Sequence, residues 1–140
     1  MTSKSLAFSY LQKSIARLDI LTLLLNKEDY SDVIREAQEI VELCLKGILR
    51  NAGIEPPKFH DVGPLFLEFK DRFPSIPLLD AQKIAQISKD LRKERELSFY
   101  GDIDFIPTES YSKEDALNAI ENVKFVLEHA QNIIKADQSL

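Results

Sequence analysis

Lys89, Arg92, Lys93 and Arg95 form the only dense basic cluster of the chain, and Tyr100 follows closely behind them. On a helix, steps of three and four residues put Lys89 with Arg92 and Lys93, and Arg92 with Arg95 on a neighbouring face. Such a patch can hold phosphate groups through charge-assisted hydrogen bonds, and a dimer axis bringing two copies together would double it. The same residues would also make an ordinary solvated face, with the cations paired to Asp90, Glu94 and Glu96. Tyr100 can offer its hydroxyl to a substrate, or rest its ring at a helix end with the hydroxyl in water.

Other chemistry-bearing residues are read more plainly. His60-Asp61 resembles half of a metal site, but one pair cannot complete a coordination shell and His129 is far away in the chain. Asp61 is expected to cap a short helix and His60 to fix the turn before it, with no metal and no cofactor held. Glu42 and Lys46 stand four apart, in the favourable order for a local ion pair. Cys44 falls in an apolar stripe and is expected to be a small core residue, not a nucleophile.

The elements that must position these groups follow from the period of the apolar residues. A first helix is predicted from about Ser5 to Asn26, with Leu11, Ile15, Leu18, Leu21 and Leu25 in steps of three and four. A second runs from about Ser31 to Asn51; its stripe of Ile34, Ala37, Val41, Cys44 and Ile48 is widened by Val33, Ile40, Leu45 and Leu49. That breadth predicts a central helix with neighbours on more than one side. Gly53 stands at a helix stop, and Pro56-Pro57 prevents continuation. A short third helix follows Asp61 with Pro64 in its first turn, is lined by Leu65, Phe66 and Phe69, and ends at Phe73-Pro74. A fourth begins near Pro77, carries Leu79, Ile84, Ile87 and Leu91 as its apolar residues, and continues through the basic cluster to Gly101. Asp102 to Tyr111 reads as one long irregular connection of acidic and aromatic character, a common setting for binding. Ser112 with Asp115 approximates a capping box for a last helix carrying Leu117, Ile120, Val123, Leu127, Ala130 and Ile134. No stretch alternates with a period of two, so the fold class is all-α: an up-and-down bundle of four long helices and one short one.

Composition agrees with a globular chain. Its 140 residues suit a single helical domain over 1–140, with 44% apolar and 29% charged residues. No apolar run approaches the roughly 20 residues that cross a bilayer. The single cysteine excludes an internal disulfide and, with no secretion signal legible in Met1–Ser9, a reduced cytoplasmic setting is expected. A net charge of −5 argues against a surface that coats nucleic acid or anionic lipid, although it permits a local basic site.

The stretch from Tyr30 to Leu67 carries a further signal. A helix with Ala37, Glu42 and Lys46, then Leu49-Arg50, then a Gly-Pro connection, then His60-Asp61 opening a short helix, resembles the HEPN family of helical bundles. The order of the remaining helices fits that family too. The resemblance implies an antiparallel bundle that forms homodimers. It also implies kinship with RNases and toxins that partner a small nucleotidyltransferase acting as antitoxin. In catalytic members an Arg is followed, after four to six residues, by a His late in a long helix, and two such motifs meet across the dimer. Here four residues separate Arg95 from Tyr100, and those spacings from Arg92 end on Leu97, Ser98 or Phe99. The histidine is missing. Cleavage of RNA through its 2′-hydroxyl needs a general base near the operating pH, and a phenol ordinarily titrates near pH 10.

Two functions are thus expected of such a chain. One is a non-catalytic, dimeric interaction module that binds a nucleotidyltransferase-type partner and a nucleotide or RNA. The other is a toxin-like RNase that uses Arg92, Arg95 and Tyr100 in place of the usual Arg and His. In nucleotidyltransferase-paired members a tyrosine near this motif can also accept an adenylyl group. The acidic connection beside the basic cluster would repel RNA and favours a protein or nucleotide-linked partner.

Overall fold

The width of an apolar stripe decides where a helix sits, and the second helix has the widest. In the computed structural model, which describes residues 3–58 and 61–138, that helix is α2 (Tyr30–Asn51). It buries Val33, Ile34, Ala37, Ile40, Val41, Cys44, Leu45, Ile48 and Leu49. It touches all the other α-helices, α1 (Ser3–Asn26), α3 (Val62–Glu68), α4 (Leu78–Phe99), α5 (Pro107–Ser110) and α6 (Lys113–Gln138). The expected all-α, up-and-down bundle is what forms. The start of α1 meets the end of α2, where Ser3 Oγ donates to the carbonyl of Arg50. The end of α4 meets the start of α2, and His129 of α6 reaches back to Asp80 at the start of α4. No helix among the described residues is long and apolar enough to cross a membrane.

Helix ends follow their local chemistry. After α2 the amide of Ile54 bonds the carbonyl of Leu49 at 2.9 Å and that of Gly53 bonds Arg50 at 3.0 Å. This double closure needs a left-handed residue, and Gly53 supplies it at φ 79°. The turn after α1 has the same form, with Asp29 N–H to Leu24 and Glu28 N–H to Leu25, but there the left-handed residue is Glu28 at φ 59°. Asp61 caps α3 by accepting from the Gly63 amide at 3.1 Å; His60 lies outside the described residues. At α6 the predicted box is reciprocal: the Asp115 amide donates to Ser112 Oγ and the Ser112 amide to Asp115 Oδ2.

Four expectations are corrected. The third helix stops at Glu68 instead of reaching Phe73, and a 3-10 turn, Lys70–Arg72, follows. Phe66 and Phe73 explain this: their rings stack with centroids 5.0 Å apart, whereas seven residues of continuous helix would separate them by about 10 Å. Leu79 does not face inward but is 79% exposed. It lies five residues from Ile84, about 140° away around the helix, and Ala81 takes the inward place. The long connection is only partly irregular, since it contains α5, started by Pro107, and a tight turn in which Asp102 and Phe105 exchange both backbone hydrogen bonds. Leu117 is likewise peripheral, with Ala116 and Ala119 buried beside it.

Candidate functional site

Arg35, Glu39, Glu42 and Lys46 repeat on α2 at intervals of four, three and four, so they form a charged stripe along one side of the central helix. Arg95 of α4 lies over this stripe. Its Nη2 is 3.6 Å from Glu39 Oε1, and Arg35 Nε approaches the same oxygen at 3.3 Å. Lys46 Nζ pairs with Glu42 Oε1 at 3.0 Å, and Gln38 donates to Glu42 Oε2 at 3.0 Å. Arg95, Glu39, Glu42, Leu43, Lys46 and Lys58 together line a groove of about 400 Å³. Burial works against the Glu42 charge, but the hydrogen bonds from Lys46 and Gln38 and the charges of Lys46 and Arg95 outweigh it and hold the carboxyl below its usual range.

Two guanidinium donors along the charged stripe are shielded from solvent without a hydrogen bond, Arg95 Nε in the groove and Arg35 Nη1 outside its lining. Buried donors of this kind are rare in folded proteins, and an acceptor-rich group such as a phosphate would satisfy them. The guanidinium of Arg35 also sits 5.0 Å from the ring centroid of Phe99, which links the groove to the end of α4.

The residues predicted as one basic patch are divided among faces. Arg95 is half-buried against α2, Arg92 is half-buried, and Lys89 and Lys93 point to solvent. The neighbouring acids are engaged elsewhere: Asp90 accepts from Gln86 at 2.8 Å and Glu94 from the Tyr111 hydroxyl at 2.6 Å. Tyr100 does not join Arg95. Five residues on a helix turn it about 140° away, and it lines a different hollow with Lys27, Glu28, Asp29, Ser31, Asp32, Phe99, Pro107 and Thr108. It is 71% exposed, with its ring edge-on to Phe99. Ser98, one of the residues at the spacing of the missing histidine from Arg92, is fully buried and donates to the Arg95 carbonyl.

The expected ion pair of Glu42 and Lys46 is made, and both side chains line the groove beside Arg95 of α4. Cys44 is buried in the core, where burial pushes its thiol up to about 12, opposed by a hydrogen bond with Ser14. Such a thiol is inert. Arg35 and Glu39 were not singled out by composition, although the spacing they share with Glu42 and Lys46 exposes them. Nothing local to α4 signals that Arg95 points at α2.

An antiparallel bundle whose central helix carries a charged stripe covered by an arginine of the fourth helix is the class that fold and site define. The HEPN domain family model matches residues 8–133, and the chain belongs to that family. No curated protein and no solved structure matches it.

Proposed function

We propose that this HEPN domain is a dimeric, non-catalytic interaction module that holds a nucleotide or RNA phosphate at Arg95 and binds a nucleotidyltransferase-type partner. One observation carries the reading: Arg95 is fixed in the α2–α4 groove by Glu39, while Tyr100, in the place of the motif's histidine, opens onto a separate hollow. Within one protomer, a cation and a would-be base that face different hollows do not meet on one ribose-phosphate link. The unpaired donor Arg95 Nε supports the phosphate-holding part. The exposed hydroxyl of Tyr100 leaves it accessible to a group-transferring partner as well as to solvent.

Purified protein incubated with single-stranded RNA between pH 6 and 9 is the test of the catalytic question. No cleavage is the expected result, and cleavage abolished by Arg95→Ala would replace this reading with that of a toxin-like RNase. Light scattering tests the assembly: a species of twice the 16.0 kDa chain mass is expected, and a monomer at high concentration would remove the dimer.

A further inference from the structure

One end of the bundle displays apolar side chains that the core does not use. Phe99 and Tyr100 end α4 with 49% and 71% of their surfaces exposed, and Ile106 beside them is 45% exposed. Ile103 is 90% exposed at the tip of the Asp102–Phe105 turn. That turn is not a loose loop. Asp102 and Phe105 are bonded both ways, at 2.9 and 3.0 Å, and Asp102 Oδ1 accepts from the Ile103 amide at 2.7 Å. Gly101 enters it at φ 68°, packed so closely that a Cβ would stand 2.4 Å from the Phe105 carbonyl oxygen. The chain is therefore ordered so as to keep an isoleucine in water, an arrangement that marks a contact surface.

Charge decides what the contact is. The hollow beside Phe99 and Tyr100 is rimmed by Glu28, Asp29 and Asp32 against a single lysine, Lys27. Asp102 and Asp104 flank Ile103 on the exposed turn, and Glu109 is exposed nearby in α5. A second copy of the chain would bring acid onto acid if it used this patch against itself. Anionic nucleic acid and anionic lipid are disfavoured for the same reason. Phe99, in contrast, already carries the Arg35 guanidinium over its ring, so aromatic surface and cation are compatible here.

We infer that the end of the bundle formed by Phe99, Tyr100, Ile103 and Ile106, with its rim of Glu28, Asp29 and Asp32, docks a basic segment of another protein. Apolar side chains of that segment cover Ile103 and Tyr100, and adjacent Arg or Lys side chains meet the acidic rim. This deepens the interaction-module reading and rests on it, but it concerns a surface separate from the Arg95 groove.

The test is selection of random dodecamer peptides displayed on phage against the full chain, followed by fluorescence anisotropy with the selected peptides. Selected sequences are expected to combine two or more Arg or Lys residues with a neighbouring aliphatic or aromatic residue. Their affinity is expected to fall at least tenfold for Ile103→Ser and for the double variant Asp29→Asn with Asp32→Asn. Leu79→Ser, an exposed position at the opposite end of the bundle, should leave it unchanged. Failure to select any peptide, selection without basic enrichment, or binding insensitive to Ile103→Ser overturns the proposal. So does a dimer that Ile103→Ser dissociates, because a second copy would then be the occupant. RNA cleavage would overturn the proposed function while leaving the peptide result standing, so the two failures are distinguishable.

Discussion

Arg95 is held by one carboxylate at ion-pair distance and has an unused buried donor. A charge-assisted hydrogen bond contributes about 1.5–3 kcal/mol, so Arg95→Ala should weaken binding of a labelled single-stranded oligonucleotide roughly ten- to a hundredfold. Lys93→Ala, on the solvent face, should change it less than about threefold, since an exposed cation gains little over water; fluorescence anisotropy measures both. Asp32 gives a pH signature. Burial, the hydrogen bond with Asp29 and the Asp29 charge push its carboxyl up to about 6 from an ordinary 3.8, against the pull of Arg35. The folded state thus binds this proton more tightly than the unfolded chain, so its contribution to stability is present below about pH 4 and is lost as pH rises through 6. Asp32→Asn should accordingly raise the melting temperature relative to the parent protein at pH 7, with the difference vanishing toward pH 4. Thermal melts across that range check the sign.

At the scale of elements, the two turns that flank the central helix bundle use the same backbone closure with different residues. Gly53 adopts its left-handed conformation freely, and a Cβ there meets nothing within 4 Å, so Gly53→Ala isolates the conformational penalty. It should destabilise by about 1 kcal/mol. Glu28 already bears that penalty, and Glu28→Gly should stabilise by roughly 0.5–1 kcal/mol, the relief being partly offset by a freer unfolded chain. Urea unfolding at constant m separates the two effects. The C-terminal end of α2 was legible in the sequence, because Gly53 and Pro56-Pro57 are local signals. The end of α3 was not: only the stacking of Phe73 back onto Phe66 requires the break at Glu68. Leu79 shows the same limit from the other side, since an apolar residue near a stripe is not in it unless its angle around the helix agrees.

At the scale of the whole molecule, one core joins all the long helices, and Phe66 is the largest of its fully buried side chains. Phe66→Ala removes a fully buried ring and the stacking that ties α3 to Phe73 after the 3-10 turn, and should lower stability by about 3–5 kcal/mol in calorimetry or denaturant unfolding. Sequence alone was enough for the helical class, the four long helices, the caps at Asp61 and Ser112, the stop at Gly53 and the central place of α2. All of these depend on residue spacing within one helix or on chemistry within a few residues of its end. It also determined that the family's histidine is absent after Arg92 and Arg95. Only the tertiary structure decided which surfaces those helices share. It turned Arg95 onto the α2 stripe and Tyr100 away from it, divided the basic cluster among faces, and set a rigid apolar turn among acids at one end of the bundle. Helix rotation and crossing are fixed by packing against neighbours distant in the chain, and no local pattern on α4 encodes them.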